Sequence, residues 1–335
     1  MTFASVAPVL WLLIVLFSLL MYMALDGYDL GIGMLWLLER DDTRRKEMME
    51  IVATGWDGNE SWLILVGVGL FGGFPLAYST LLPALYIPFI LMLFALIFRG
   101  ISIEFQAQSA TYQRTWALAF ALGSLVATVC QGVILGAVLS GIPVAHGQFA
   151  GTPFGFLNGL SLLTSLFVLA AYCLSGATWL NDKTEGILAA TSKQRGLLLS
   201  LIVGVLLILT LIVAFLTRPV ASTPSQIGLL LIGVAAVLAL VALGVLRRML
   251  KNTDGIQPFL LAAGALVLSV VGLLALNYPY LVPPSLTIWQ AASSGTSVNF
   301  LLLGVGLCIP IVLVYNGYAY YVFRGKFTIP QEKKA

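Results

Sequence analysis

Long apolar runs separated by short polar connections dominate this chain. A membrane-spanning helix needs about 20 mostly apolar residues to cross a hydrocarbon core of roughly 30 Å. Nine stretches fit this pattern, near 7–38, 47–71, 77–99, 115–140, 155–177, 197–216, 227–246, 257–276 and 298–323. We therefore predict an all-α integral membrane protein with about nine transmembrane helices.

Composition supports this interpretation. The 335 residues are 60% hydrophobic and 9% charged, whereas about a quarter of the residues of a soluble domain are charged. The first apolar run has no Lys or Arg before it and no clear small-residue cleavage site after it, so we interpret it as the first helix and not as a signal peptide. The cations are spread through several loops without a basic stripe, which argues against a nucleic-acid partner.

The distribution of Lys and Arg predicts the orientation, because loops rich in these residues stay in the cytoplasm. One set of alternate loops, with the carboxyl tail, holds sixteen of them and the opposite set holds only Arg218. The sixteen are Arg40, Arg44, Arg45, Lys46, Arg99, Arg114, Lys183, Lys193, Arg195, Arg247, Arg248, Lys251, Arg324, Lys326, Lys333 and Lys334. We predict an outside amino terminus, a cytoplasmic carboxyl terminus and an odd number of spans.

A polar stretch near 142–154 divides the predicted helices. We predict a single membrane domain over 1–335, with a first four-helix bundle at about 7–141, a second at about 155–277 and a peripheral helix at about 298–323. The loop at 277–297 is long, uncharged and rich in proline, aromatics and hydroxyls. Two interpretations of this loop are open. In one it packs on the membrane face or on a partner, and in the other its Trp and Tyr side chains form an interfacial belt.

Candidate metal ligands are sparse. Cys130, Cys173 and Cys308 each stand alone in an apolar segment, which indicates small core residues. His146 is the only histidine and falls in a predicted outside loop. Haem ligation relies mainly on His, with Met, Cys or Tyr in other modes, so we expect no iron ligand and no metal site in this chain.

Acidic residues within the spans are concentrated in the first hairpin. Asp26 and Asp29 lie on the first helix, and Asp57 and Glu60 on the second. Each pair has i,i+3 spacing, which places both carboxylates on one face of a helix. Counting back from the basic turn puts Asp29 and Asp57 each about ten residues, or roughly 15 Å, away from it. We expect the pairs to lie level and to form a proton pathway, because close carboxylates favour holding a proton.

Other residues extend or qualify this hypothesis. Asn59 and Ser61 can continue the hydrogen-bonded path. Arg99, at the predicted cytoplasmic end of the third helix, and Glu104, in the predicted following loop, are candidates for a counter-charge and a proton-access group. The alternatives are that Asp26 and Asp29 are wetted from the cytoplasm and that Asp57 only hydrogen-bonds backbone or a neighbouring Trp. Arg99 and Glu104 are alternatively ordinary loop-end charges, with Arg99 as a positive-inside anchor.

Five motifs together resemble subunit II of the cytochrome bd-type quinol oxidases, in the same order along the whole chain. They are Asp26-Gly-Tyr-Asp-Leu-Gly-Ile-Gly-Met-Leu35, Asp42-Thr-Arg-Arg45, Trp56-Asp-Gly-Asn59 with Trp62, Phe98-Arg99, and Ser285-Leu-Thr-Ile-Trp289. The short connections resemble the compact, cyanide-insensitive branch. Gln290 stands where the family has an Asp in its better-known members, which removes the basis for a proton role at that outer position.

The resemblance implies a haem-free subunit of a bacterial inner-membrane oxidase that oxidises quinol and reduces dioxygen to water. Subunit I, the expected partner, would carry haem b and haem d, or haem b in place of haem d, and the quinol site. A small single-helix subunit is a further expected partner. This chain would support assembly and give protons, and also dioxygen, access to the haems. A structural quinone or phospholipid within it is also expected.

The resemblance also carries residue roles to Asp29, Trp56, Asp57, Trp62, Arg99 and Glu104, and it suggests Trp56, Asn59, Trp62 and Trp289 as motif and partner-facing positions. Two other functions stay open. A proton-coupled secondary transporter also uses midplane carboxylates and two bundles, although here the acids are confined to one hairpin. A purely structural membrane scaffold is the third.

Overall fold

The structure is a computed structural model that describes residues 3–109, 111–217, 225–253 and 255–327. Of the residues used for the predicted orientation, Arg218, Lys333 and Lys334 lie outside the described residues. Helices account for nearly all the regular structure in these ranges. They are α1 (Phe3–Trp36), α2 (Asp42–Ala53), α3 (Trp56–Gly73), α4 (Pro75–Ala84), α5 (Tyr86–Gln108), α6 (Gln113–Ser140), α7 (Gly159–Lys183), α8 (Gly186–Thr217), α9 (Gln226–Asn252), α10 (Gln257–Ala275), α11 (Ile288–Ala291) and α12 (Gly295–Val322).

Two short antiparallel hairpins connect helices at one end of the molecule. Strand β1 (Val144–Ala145) pairs with β2 (Gln148–Phe149), and β3 (Tyr280–Val282) pairs with β4 (Leu286–Thr287). The second hairpin and α11 bury Val282, Leu286, Ile288 and Ala291 in one cluster with Trp11 and Phe74. Most apolar side chains of the 277–297 loop therefore pack on this chain itself.

The all-α membrane fold is confirmed. Within the described ranges, eight helices are long and apolar enough to cross a membrane by length and composition, namely α1, α5, α6, α7, α8, α9, α10 and α12. The predicted second span at 47–71 is wrong as a single helix, because the chain turns at Thr54 and Gly55 between α2 and α3. The buried apolar side chains of α2, which include Met48 and Val52, merged with the apolar run of α3 in the hydropathy pattern.

Helix α3 has 18 residues and opens with polar side chains, and it is not among the eight. The total of nine spans, the orientation and the division into two bundles stay predictions. The predicted third span at 77–99 is also wrong as a single helix, since α4 and α5 meet at Leu85. Because α5 continues to Gln108, Arg99 lies within a helix and Glu104 lies on its last turns, not in a loop.

Helix α1 lies at the centre of the fold, where it packs against α3, α6 and α7. Small residues allow the close approach to α7. A Cβ added to Gly31 would come within 1.9 Å of the carbonyl oxygen of Tyr172, and one added to Gly176 would meet the Ile32 nitrogen at 2.7 Å. Close backbone contact through small residues is a common way for membrane helices to pack. It places the acidic residues of α1 inside the protein.

The cysteines differ from one another. Cys130 and Cys173 are buried, as predicted, whereas Cys308 on α12 is exposed in this chain, so its assignment to the core was wrong. Helix α12 packs loosely, and Val298 is the single residue that it buries. The sparse burial of α12 agrees with the predicted peripheral helix, but the exposure of Cys308 was missed, because an apolar helix facing lipid or a partner has the same composition as a buried one.

Candidate proton-transfer site

The centre of the site is an ion pair between two neighbouring helices. Arg99 of α5 donates hydrogen bonds from its two terminal nitrogens to the two carboxylate oxygens of Asp26 on α1, at 2.9 and 2.6 Å. Both side chains are fully buried. Bidentate hydrogen bonds between an arginine and a carboxylate are among the strongest in proteins. Without them, burying either charge would carry a large desolvation free energy. Arg99 is therefore a counter-charge and not a loop anchor.

Two further carboxylates face the same guanidinium. The Asp29 Oδ2 atom and the Glu60 Oε2 atom each lie 3.9 Å from a terminal nitrogen of Arg99. Asp29 is fully buried, while 26% of the Glu60 side chain is exposed. The predicted i,i+3 face of α1 is thus confirmed, since both of its aspartates reach Arg99. One positive charge faces three carboxylic groups, an arrangement that favours keeping at least one proton within the cluster.

Asn59 connects this cluster to a group of hydroxyls. Its side-chain nitrogen donates to Asp29 Oδ2 at 2.8 Å and to the Tyr28 hydroxyl at 3.1 Å. The Tyr320 hydroxyl of α12 donates to Asn59 Oδ1 at 2.8 Å and lies 3.1 Å from the Tyr28 hydroxyl. Asn59 itself is only 2% exposed. The amide therefore lies between the hydroxyls and the carboxylate cluster.

These hydroxyls line a cavity of about 810 Å³, here called the vestibule. Its walls come from α1, the end of α2, the beginning of α3 and the late turns of α5, α7 and α12. They include Tyr28, Trp56, Asp57, Asn59, Glu104, Trp179, Lys183, Asn316, Tyr320 and Lys326. Asp57 and Glu104 are both exposed. Because basic loops place this end of the molecule in the cytoplasm by the predicted orientation, we interpret the vestibule as an inlet for water from that side.

The structure separates Asp57 from the buried acids. The predicted level pairing with Asp29 is wrong, because it counted residues through a continuous helix that ends at Ala53. Asp57 instead lies in the first turn of α3, exposed at the vestibule, while Glu60, one turn later, reaches the cluster. Ser61 donates to the Asp57 backbone carbonyl and is exposed, so it does not extend the path inward.

The tryptophans of the predicted motif lie in three different places. Trp62 is 2% exposed and meets Phe17 edge to face, with ring centroids 5.7 Å apart. It and the buried Asn59 are therefore not partner-facing, contrary to expectation. Trp56 lies at the vestibule against Gly100. Trp289 lies on α11 and is 44% exposed.

In the part of the chain that the structure describes, the candidate haem and metal ligands do not come together. His146 is exposed in the turn between β1 and β2, with a φ of 52°. The described ranges contain no group of three or more His, Cys, Asp or Glu placed to hold a metal ion. Buried Met23, Met34 and Met92 belong to the hydrophobic core.

Sequence reasoning identified Asp26, Asp29, Glu60, Arg99 and Asn59, which the structure brings together. It missed the role of Tyr28 and Tyr320. Tyr28 stood within a recognised motif, but Tyr320 lies 292 residues away along the chain among other tyrosines. No spacing in the sequence distinguishes Tyr320 from Tyr318 or Tyr321 beside it.

Comparison with known proteins agrees with the whole-chain resemblance. The family model described as cytochrome bd terminal oxidase subunit II matches residues 7–323. The chain is 26% identical over 358 residues to cytochrome bd-I ubiquinol oxidase subunit 2 of Escherichia coli K12, which covers 95% of this chain and 94% of that protein. It is 25% identical over 325 residues to cytochrome bd ubiquinol oxidase subunit 2 of Bacillus subtilis, which covers 94% and 95%.

A solved structure has the same fold. A chain of the bd oxidase from Geobacillus thermodenitrificans superposes with a TM-score of 0.79 at 17% sequence identity, covering 95% of this chain and 99% of that chain. The likeness therefore extends over the full helical arrangement, including the helices that form the site.

Proposed function

This chain belongs to the cytochrome bd terminal oxidase subunit II family, and we propose that it conducts protons from the vestibule to the buried acidic cluster within its oxidase. The complex to which such a subunit belongs is a quinol:dioxygen oxidoreductase. Reducing dioxygen to water consumes protons, so the complex needs a path that brings them to the reaction. Family membership over the whole chain also argues against the transporter alternative.

One observation carries the proposal: a continuous series of polar contacts links the vestibule to Arg99. Tyr28, Asn59 and Tyr320 line the vestibule wall, and Asn59 donates directly to Asp29. Asp29 in turn lies 3.9 Å from Arg99. The first groups that protons from water meet are the exposed carboxylates Asp57 and Glu104, and the last is the Asp26, Asp29 and Glu60 cluster. Ionisable groups inside membrane proteins commonly mark such routes.

We place haem b and haem d, or haem b in place of haem d, together with the quinol site, in subunit I. The family implies haem in the complex, and the exposed His146 of this chain does not fit an axial ligand. Those groups would supply the electron transfer. The residues of this chain would hold and move protons beside them.

The surface formed by α3 and α5 is the proposed contact with subunit I. Phe71 on α3 and Phe94 and Phe98 on α5 are all more than half exposed. Exposed Asp57 and Glu104 lie at one end of the same two helices. Both carboxylates also line the vestibule, so a partner that covers this face would enclose the vestibule on the side of α3 and α5. We also propose a small single-helix subunit as a further partner and the bacterial inner membrane as the location of the complex.

A second cavity, of about 570 Å³, suits the expected structural quinone or phospholipid. Its apolar lining includes Leu85, Ile142, Phe156 and Val213, with Ser140 and Asn158 as polar groups. Binding cavities for such molecules are mostly apolar with a few polar groups. We propose this cavity as the lipid-soluble ligand site of the subunit, separate from the proton route.

The test of the proton route is Asp29→Asn in the intact oxidase complex. The variant keeps the shape and loses the proton-binding carboxylate, so quinol oxidase turnover is expected to fall about tenfold or more while the reduced-minus-oxidised haem spectrum stays normal. Asp42→Asn, the same change at an exposed residue of α2, is the matched control. Unchanged turnover in Asp29→Asn would contradict the route, and loss of haem would indicate an assembly role instead.

A further inference from the structure

Tyr320 is an inward-reaching side chain on an otherwise outward-facing helix. Helix α12 buries only Val298, and its neighbours Tyr318 and Tyr321 are 66% and 61% exposed. The hydroxyl of Tyr320 nevertheless reaches Asn59 on α3 and Tyr28 on α1. A hydroxyl from the least buried spanning helix therefore completes the polar network at the centre of the protein.

The hydrogens of this network can be assigned one by one. The hydroxyl hydrogen of Tyr320 goes to Asn59 Oδ1. The contact of 3.1 Å between the two tyrosine hydroxyls must then use the hydrogen of Tyr28. Of the two amide hydrogens of Asn59, one goes to the Tyr28 oxygen and the other to Asp29 Oδ2. The three side chains form a closed ring in which every hydrogen has one acceptor.

This ring fixes which end of the amide faces Asp29. Tyr320 donates to the amide oxygen, so the amide nitrogen is the end that remains for the carboxylate. A reversed amide would present its oxygen to the Asp29 oxygen and would leave the Tyr320 hydrogen without its acceptor. An amide carries a donor and an acceptor on opposite branches. Removing the Tyr320 hydroxyl therefore removes the donor that holds the amide oxygen and leaves the contact with Asp29 to orient the amide.

The end of α12 is held in place for this contact. Lys183 at the end of α7 donates to the backbone carbonyls of Phe323 and Arg324, at 3.2 and 3.0 Å. A cation at these last carbonyls is favourable, since helix carboxyl ends carry partial negative charge. Trp179, on the same face of α7, stacks on the Tyr28 ring at 4.5 Å and meets the Tyr320 ring edge to face at 6.0 Å. Both tyrosines are thus oriented by packing as well as by hydrogen bonds.

We propose that Tyr320 is a positioning residue for proton transfer: it holds the Asn59 amide so that its nitrogen donates to Asp29, and it makes α12 part of the route. The inference rests on the proposed function, because it assigns a role at the point where the vestibule meets the cluster. Tyr320 acts through Asn59 and does not itself touch the carboxylate.

The test measures quinol oxidase kinetics of the complete complex carrying Tyr320→Phe, which removes one oxygen and keeps the ring packing. We expect kcat to fall about fivefold with an unchanged KM for quinol and a normal haem spectrum. The ratio of turnover in H2O to turnover in D2O should rise, because a slower proton transfer limits more of the cycle. Tyr318→Phe, the same change at an exposed position of α12, should leave all four quantities unchanged.

A double-mutant cycle separates positioning from general stabilisation. Asn59→Leu removes the amide, so adding Tyr320→Phe to it should cause no further loss of turnover if Tyr320 acts through Asn59. Lys183→Met, which releases the end of α12, should lower turnover and raise the isotope ratio in the same way. The inference would be overturned if the loss of turnover in the double variant equalled the product of the two single losses. It would also be overturned if Tyr320→Phe had the kcat and isotope ratio of the wild type.

Failure of this inference is distinguishable from failure of the proposed function. If Asp29→Asn abolishes turnover while Tyr320→Phe behaves as wild type, the route stands and the positioning role is wrong. If Asp29→Asn also behaves as wild type, the route itself is wrong. A Tyr320→Phe complex that loses haem would show that the tyrosine serves assembly, which also overturns the positioning role.

Discussion

Arg99 on α5 holds both carboxylate oxygens of Asp26 on α1, at 2.9 and 2.6 Å, with neither side chain exposed. The pair joins two helices through residues that lie 73 positions apart in the chain. Asp29 and Glu60 lie farther from the same guanidinium, each at 3.9 Å from one of its terminal nitrogens. Structural support and chemistry therefore depend on the same guanidinium.

Replacing Arg99 with Met should destabilise the protein strongly. The change leaves Asp26 and Asp29 buried without a cation, and breaking a buried ion pair costs about 3–5 kcal/mol. The expected result is a much lower unfolding temperature of the purified complex in detergent, with reduced haem content. Arg114→Met, at an exposed position of α6, should change the stability by less than about 0.5 kcal/mol.

The double variant Asp26→Leu with Arg99→Met refines this prediction. It removes both charges of the pair, so it should be more stable than Arg99→Met alone. Equal stability of the single and double variants would show that Asp26 does not depend on Arg99 for compensation.

Gly31→Ala should disrupt the packing of α1 on α7. The added Cβ would lie 1.9 Å from the Tyr172 carbonyl oxygen, and a backbone atom cannot move aside as a flexible side chain does. Overpacking typically costs about 1–3 kcal/mol and sometimes more. The thermal unfolding temperature and the yield of assembled complex should both fall.

Gly244→Ala on α9 is the matched control, because nothing lies within 4 Å of the added Cβ. Alanine favours a helix over glycine by up to about 1 kcal/mol, so this variant should be as stable as the wild type or slightly more stable. A Gly31→Ala protein that behaves like Gly244→Ala would mean that α1 and α7 are farther apart than described.

The sequence was sufficient for the helical membrane class, because long apolar runs have few alternatives. It was not sufficient for the break between α2 and α3. There the buried apolar residues of α2, including Met48 and Val52, adjoined the apolar run of α3. The error propagated to the site, since the depth of Asp57 was counted through the missing break.

The buried acids were predictable because a carboxylate in an apolar run stands out. Their partners were harder to predict. Arg99 has the same local sequence whether it anchors a helix end or enters an ion pair, and its contact with Asp26 on α1 decides between these. Tyr320 meets its partners through the tertiary arrangement of α1, α3 and α12, for which no local pattern exists.

Glu39→Gln should lower stability at neutral pH and less so in acid. Burial raises the pKa of Glu39, but hydrogen bonds from the Arg44 side chain and from the backbone N–H groups of Asp41 and Arg40 outweigh it, and the pKa falls from 4.5 to about 2. A carboxyl group whose pKa is lower in the folded state stabilises the protein at pH values above its unfolded-state pKa. This stabilisation is lost as the pH falls from about 4.5 to about 2.

At pH 7 we expect Glu39→Gln to lose about 2 kcal/mol, the scale of hydrogen bonds to a charged group. The difference from wild type should shrink by a third to a half at about pH 3.5, as measured by denaturant unfolding. Glu185→Gln, at a largely exposed ion pair with Lys326, should change stability by under about 1 kcal/mol. A Glu39→Gln difference that stays constant with pH would refute the assignment.

Asp57→Asn should impair turnover less than Asp29→Asn does. Asp57 is exposed at the vestibule, where water and Glu104 also deliver protons, whereas Asp29 is buried and has one amide donor. We expect a loss of about twofold to threefold with normal haem content, because a positioned acid contributes much less where solvent can replace it. The loss should grow as the pH rises and free protons become scarce.

The combination Asp57→Asn with Glu104→Gln tests whether these two carboxylates collect protons for a common inlet. Each single variant leaves one acid at the vestibule, so the double variant should lose more turnover than the product of the single losses. The measurement is quinol oxidase turnover of the intact complex between about pH 6 and pH 9, the range over which proton supply becomes limiting. If Asp57→Asn alone is as severe as Asp29→Asn, then Asp57 is an obligatory carrier, and protons do not reach the acidic cluster through water in the vestibule without it.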